Sequence, residues 1–203
     1  MSDRSAKIIP FPGSEPPRSA LVLRVELVMT PYPIWRRLRI AEQATFWDLH
    51  VAIQDAVGWS HRHRHLFTAD DPGSGQRLRF GIPEASPFHG GHTVLASWEH
   101  EVIAVARPDH PPFLYTYHLG EEWQHEVSLE TLEEPEAAGA VPACLAGAGA
   151  CPLEGCGGPE RFGELLRLGD PLLPPDFAPD SFDPAAVVFG DPDQRWQEFF
   201  GDR

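Results

Sequence analysis

Cys144, Cys151 and Cys156 fall in one glycine- and proline-rich stretch with the spacing Cys-x6-Cys-x4-Cys. Thiolates are soft ligands, and glycines let a backbone fold around a centre, so these three could supply corners of a tetrahedral zinc site. His125 is the candidate fourth ligand. The stretch has no Cys-x2-Cys knuckle. The competing reading is three small side chains packing a tight loop, a role free cysteine fills readily. A nucleophilic cysteine is disfavoured because the flanks are acidic and nothing there lowers a thiol pKa.

His61, His63 and His65 alternate with Arg62 and Arg64. On a strand the three imidazoles would share one face, as two ligands from alternate positions can meet a metal. The plainer reading is a half-exposed strand whose histidines stack on Trp59 or bond backbone groups. A functional reading gathers Trp59, His63, His65, Glu121 and Trp123 into one ligand pocket, with His125 and Glu122 nearby. Imidazoles and carboxylates together can bind a metal or move protons near neutral pH.

Trp35 with Arg36, Arg37 and Arg39 forms a basic aromatic patch that could hold phosphate or stack on a base. Pairing with acidic residues of the second half is the more ordinary role. There is no phosphate-binding Gly-x4-Gly-Lys loop, no Gly-x-Ser-x-Gly elbow, no His-Glu-x-x-His pair and no Gly-x-Gly-x-x-Gly turn.

The elements that must position these residues follow from periodicity. Leu21, Leu23, Val25 and Leu27 alternate with polar partners, which predicts a strand over 21–29; a break at Thr30–Pro33 and a second strand over 34–40 make a hairpin. Thr45 and Asp48 form a variant capping box, and Phe46, Leu49, Ile53 and Val57 recur at helical spacing up to Gly58, predicting a helix over 46–57. Further strands are predicted at 63–69, 78–82, 98–106, 113–118 and 123–132. The cysteine stretch 141–159 reads as loop, 161–168 as a short helix, 170–182 as surface wrapping and 184–189 as a helix capped by Asp183. Strands around one early helix indicate an α+β fold with a mostly antiparallel sheet. Residues 1–19 read as a disordered leader, 20–190 as a single domain and 191–203 as a tail.

The chain of 203 residues carries 16 basic and 30 acidic side chains, a net charge of −14, and 15 of the 16 basic residues are arginine. The charge is uneven: residues 1–100 hold 11 basic and 10 acidic side chains, while 101–203 hold 5 and 20. Such a balance repels a phosphate backbone, so nucleic acid is a disfavoured partner. No long apolar run predicts a membrane span, and three clustered cysteines are no secreted disulfide framework. With no secretory signal pattern at the N-terminus, a cytoplasmic protein is expected.

Three segments, in order, resemble the plasmid Ri ORF-three-like family of bacterial and archaeal proteins: Tyr32-Pro-Ile-Trp-Arg-Arg37, Gly58-Trp-Ser-His-Arg-His-Arg-His-Leu-Phe67, and the string from Cys144 through Cys151-Pro and Cys156-Gly-Gly-Pro159. The resemblance runs from about Leu21 to about Val188. Where members usually read Asp-Phe-Gly-Asp-x-Trp-x-His, this chain has His118-Leu-Gly-Glu-Glu-Trp-Gln-His125, so His118 and Glu121 replace the two aspartates. The resemblance implies a single α+β domain and a link to plasmids and insertion elements, but no particular chemistry.

The expected function is therefore a protein- or ligand-binding module with a candidate structural zinc in the cysteine loop. Two alternatives are a metal-dependent hydrolase built on His63, His65 and His125 with Glu121 or Glu122 as base, and a nucleic-acid accessory factor of a mobile element.

Overall fold

The structure, a computed structural model, describes residues 19–83, 92–134 and 139–201. The leader assigned to 1–19 falls almost wholly outside the described residues, as does most of the irregular stretch before Leu95.

The elements run β1 (Ala20–Leu27), β2 (Ile34–Ala41), α1 (Phe46–Val57), β3 (His65–Asp70), β4 (Arg77–Gly81), β5 (Leu95–Ala96), β6 (Phe113–Tyr117), β7 (Trp123–Glu133), β8 (Ala143–Ala148), α2 (Gly158–Leu168) and α3 (Pro192–Phe200). Short 3-10 turns lie at Val102–Ala104 and Pro184–Ala186. One eight-stranded sheet has the order β5-β4-β3-β6-β7-β1-β2-β8, antiparallel except for the β4–β5 pair. The fold is α+β, as the periodicity predicts.

Alternation decides which side chains enter the core. In β2, Ile34, Leu38 and Ile40 are buried while Arg37 and Arg39 face outward, where they pair with Glu130 and Glu133 of β7. The Arg24 guanidinium lies 4.3 Å over the Trp35 ring. The basic aromatic patch is thus engaged within the sheet. Arg36 is the exception, a buried cation discussed below.

Helix α1 has the bounds its caps dictate. The Asp48 N–H donates to Thr45 Oγ, the Thr45 N–H donates to Asp48 Oδ2, and Gly58 closes the helix in the left-handed region at φ 78°. Nine of its twelve residues are buried, more than one sheet-facing stripe requires, so something covers its far side. That cover is the C-terminal segment. The Trp47 indole N–H donates to the Pro192 carbonyl, the Gly190 N–H donates to Asp55 Oδ2, and Phe199 and Phe200 pack on Trp47. The segment read as a tail from 191 contains α3.

Three expectations need correction. The stretch 98–106 is not a strand: its 3-10 turn at Val102–Ala104 returns the chain under α1, where the Phe46 N–H bonds the His100 carbonyl. The first part of the cysteine stretch is strand β8, paired to β2; its small residues give no alternation to read. The helix read over 184–189 is only a 3-10 turn at Pro184–Ala186, although Asp183 does cap it by accepting from the Ala185 N–H. Among the described residues no helix is long and apolar enough to cross a membrane.

Candidate functional site

The histidine string does not share a face. His61 takes a left-handed backbone at φ 59°, and the strand begins only at His65. His61 and His65 therefore turn inward and are buried, while His63 is half-buried on the other side.

His63 meets a group that the β6–β7 turn and the cysteine loop assemble. Its ring centroid lies 3.8 Å from that of His118 and 5.8 Å from that of Tyr117. The turn is strained at two non-glycine residues, His118 and Glu122, both at φ 53°. The turn is closed by the Glu121 N–H, which donates to His118 Nδ1 at 3.0 Å, so a neutral His118 carries its proton on Nε2, 3.9 Å from Glu121 Oε1. The Trp123 indole N–H donates to Glu121 Oε2 at 2.9 Å.

Glu154, between Cys151 and Cys156, comes to the same place. It accepts from the Tyr117 hydroxyl at 2.5 Å and from the Ser60 N–H at 2.8 Å. Burial pushes the Glu154 carboxyl up, but the Ser60 and Tyr117 donors outweigh it and hold the group below its ordinary value. Burial, with His118 alongside, lowers His63. At neutral pH the cluster thus holds an ionised Glu154 beside an uncharged His63. Among the described residues neither Glu121 nor Glu154 pairs with an arginine.

Behind these groups stands an aromatic wall. Trp59 stacks on Tyr117 with centroids 5.4 Å apart and packs against Trp123 at 5.5 Å. Its indole N–H donates to the Pro152 carbonyl, which docks the cysteine loop. Gly158, at the start of α2, has φ 89°, and a Cβ there would come within 2.9 Å of the Glu121 carbonyl, so the close approach of loop and turn requires glycine.

Of the pocket residues read from sequence, Trp59, His63, Glu121 and Trp123 come together. His65 does not: it stacks on His50 of α1 at 3.8 Å. Tyr117, His118 and Glu154 were missed as members. Glu154 carries no periodic signal; its place between Cys151 and Cys156 was the available clue.

The four proposed zinc ligands are placed as follows. Cys144 lies on β8 with its thiol near the Ala146 carbonyl. Cys151 accepts from Arg36 Nη2 at 3.0 Å, and burial pushes its thiol up to about 11. Cys156 is buried beside the Glu121 turn. His125 is buried between Tyr115 and Trp59, with neither ring nitrogen in a hydrogen bond of good geometry and the Tyr115 and Trp123 backbones close by. Among the described residues no three His, Cys, Asp or Glu side chains are arranged as a metal-holding group. The loop is organised by Arg36, whose guanidinium donates to the carbonyls of Trp35, Ala56, Ala148 and Gly149 and lies 3.5 Å from the Phe182 ring.

Comparison with known proteins agrees with this architecture. The chain is similar to the uncharacterized protein y4hQ of Sinorhizobium fredii, with 29% identity over 154 residues, 75% of each chain. It is also similar to the crystal structure of a protein of unknown function, MM3350, from Methanosarcina mazei Go1. That match has a TM-score of 0.77 and 28% identity and covers 84% of this chain and 97% of that one. Residues 19–176, from the start of the sheet through α2, match the family described as plasmid pRiA4b ORF-3-like protein, and the chain belongs to that family.

Proposed function

We propose that this domain is a binding module whose site is the surface cluster of His63, His118, Glu121 and Glu154, and that its ligand, on a protein or a small molecule, presents a positive charge. One observation carries the reading. Two carboxylates from separate segments are each held by neutral donors, an indole and a phenol with a backbone N–H, and have no arginine partner among the described residues. A carboxylate oriented by neutral donors keeps lone pairs for an incoming cation. His63, uncharged at neutral pH, does not compete for them. The acidic second half of the chain would attract such a ligand at long range.

The cysteine loop serves this site by delivering Glu154, which needs no metal.

The test is amide chemical-shift mapping with N-acetyl-arginine amide and N-acetyl-lysine amide as probes, and acetate as the anionic control. Saturable shifts at Ser60, His63, His118 and Glu121 with the cations, lost in the Glu121→Gln/Glu154→Gln double variant, are expected. Equal response to acetate, or no response at those amides, would overturn the proposal.

A further inference from the structure

The carboxylate cluster has a neighbour on the same rim of the sheet. The Val28 N–H donates to the Gln124 carbonyl at 2.9 Å, which extends the β1–β7 pairing past Leu27. The β1–β2 turn, residues 28–33, is thereby set beside the strand that leaves the Glu121 turn. Helix α2 touches both. A Cβ on its first residue, Gly158, would come within 2.9 Å of the Glu121 carbonyl, and one on Gly163 would lie 3.6 Å from the Pro31 ring. Five residues of helix rise about 7.5 Å, and the two contacts fall on different sides of its cylinder, so the two turns lie roughly 10–15 Å apart.

Residues 26–33 line a shallow groove of about 360 Å3. Met29, Pro31 and Pro33 border it and are exposed, Met29 to 67%. An isolated apolar residue at a surface is ordinary, whereas a strip of them along a groove marks an interaction surface. Met29 also sits at φ 61°, a left-handed backbone that glycine or asparagine would take at less cost, so an apolar side chain is kept in solvent at the expense of strain. The turn is stiff. Its prolines fix two φ angles, the Thr30 hydroxyl donates to the Tyr32 carbonyl at 2.8 Å, and the Tyr32 hydroxyl donates to the Ala150 carbonyl at 2.8 Å. Methionine adapts to varied apolar partners, and a surface already ordered loses little freedom on binding.

Charge decides the occupant. Glu26, the one acid bordering the groove, is already paired with Arg24 at 2.9 Å, whereas Glu121 and Glu154 are held by neutral donors only, so a basic side chain is directed to the far end of the rim. Resting on the cation site of the preceding section, we propose that the ligand is an extended polypeptide segment: a basic side chain meets Glu121 and Glu154, and an apolar side chain three or four residues away meets the Met29 turn. The spacing follows from the separation of the two turns, since extended chain advances about 3.3 Å per residue.

The test titrates the full chain with capped peptides in which arginine and leucine are separated by two or three serines, in both orders, while amide shifts are followed. Peptides with serine in place of leucine, or with arginine and leucine adjacent, are the controls. In at least one order the spaced leucine peptide should bind about fivefold or more tightly than its serine control, as partial burial of one leucine gives, with shifts at Val28, Met29 and Thr30 that the control does not cause. Met29→Gly, which accepts φ 61° without strain, should remove that advantage. Equal affinities for leucine and serine peptides, with shifts at Ser60, His63, His118 and Glu121 for both, would overturn this inference and leave the cation site standing. A leucine advantage that adjacent spacing matches, or whose shifts fall outside residues 28–33, would also overturn it. No shifts at the cluster with any peptide would remove both readings.

Discussion

His125 makes one contribution to the acid stability of this domain calculable. It is about 1% exposed and lies between Trp59 and Tyr115, and neither ring nitrogen makes a hydrogen bond of good geometry, although the Tyr115 and Trp123 backbones lie close enough to favour its protonated form. Burial drives its pKa from 6.5 down to about 3. Because the folded value is depressed, the unfolded chain binds the extra proton below about pH 6.5, so stability falls as pH falls, down to the folded value near 3. Between pH 7.5 and 5.0 this one group removes about 2 kcal/mol, a sizeable part of the roughly 5–15 kcal/mol a domain has. His125→Phe keeps a ring among aromatic neighbours and deletes both nitrogens. Urea unfolding with chelator present, at both pH values, should show the stability loss on acidification smaller in His125→Phe by about 2 kcal/mol at an unchanged denaturant slope. Equal losses in the two proteins would mean that His125 is protonated or solvated in the fold, and the reasoning from its burial would be wrong.

Other substitutions probe the supports of the site. Arg36→Met leaves the carbonyls of Ala56, Ala148 and Gly149 without their donor and should cost about 3 kcal/mol or more in thermal or urea unfolding. Gly149→Ala must hold φ 79° with a Cβ against the Pro33 carbonyl, and a loss of about 1–3 kcal/mol is expected by the same assay. Tyr117 is raised first by burial and then by its bond to Glu154, so Glu154→Gln should bring its ionisation, followed by ultraviolet absorption, to lower pH. An unchanged Tyr117 titration would place Glu154 away from that hydroxyl.

The sequence made α1 fully legible because both of its ends are written in side chains, Thr45 with Asp48 at one and Gly58 at the other. The long strands were legible because one face of each is buried. Strand β8 was not, because its register requires small residues: a Cβ on Gly147 would collide with the Phe182 ring, which comes from 35 residues downstream. The surface cluster was half legible. Its Trp59, His63, Glu121 and Trp123 sit in motifs, whereas Glu154 depends on how a loop folds back. His50 carries no signal in the sequence; it is a core residue because Tyr115 of β6 and His65 of β3 pack against it. The shared face expected for His61, His63 and His65 failed because residues 61–64 are not strand: His61 has a left-handed backbone and β3 begins only at His65.

The docking of residues 179–186 against β8 bears on how the molecule behaves among its own copies. The Ala150 N–H, just past the strand, bonds the Pro179 carbonyl, Phe182 presses on Gly147, and the 3-10 turn at Pro184–Ala186 packs alongside. The opposite margin of the sheet, β5, is only two residues long. An open eight-stranded sheet invites growth by strand addition, and here one border is too short to template a strand and the other is guarded by a proline-bearing stretch of its own chain. Concentrated solutions of the intact protein should therefore resist end-on polymerisation, a protection that depends on keeping residues beyond the family-matched region.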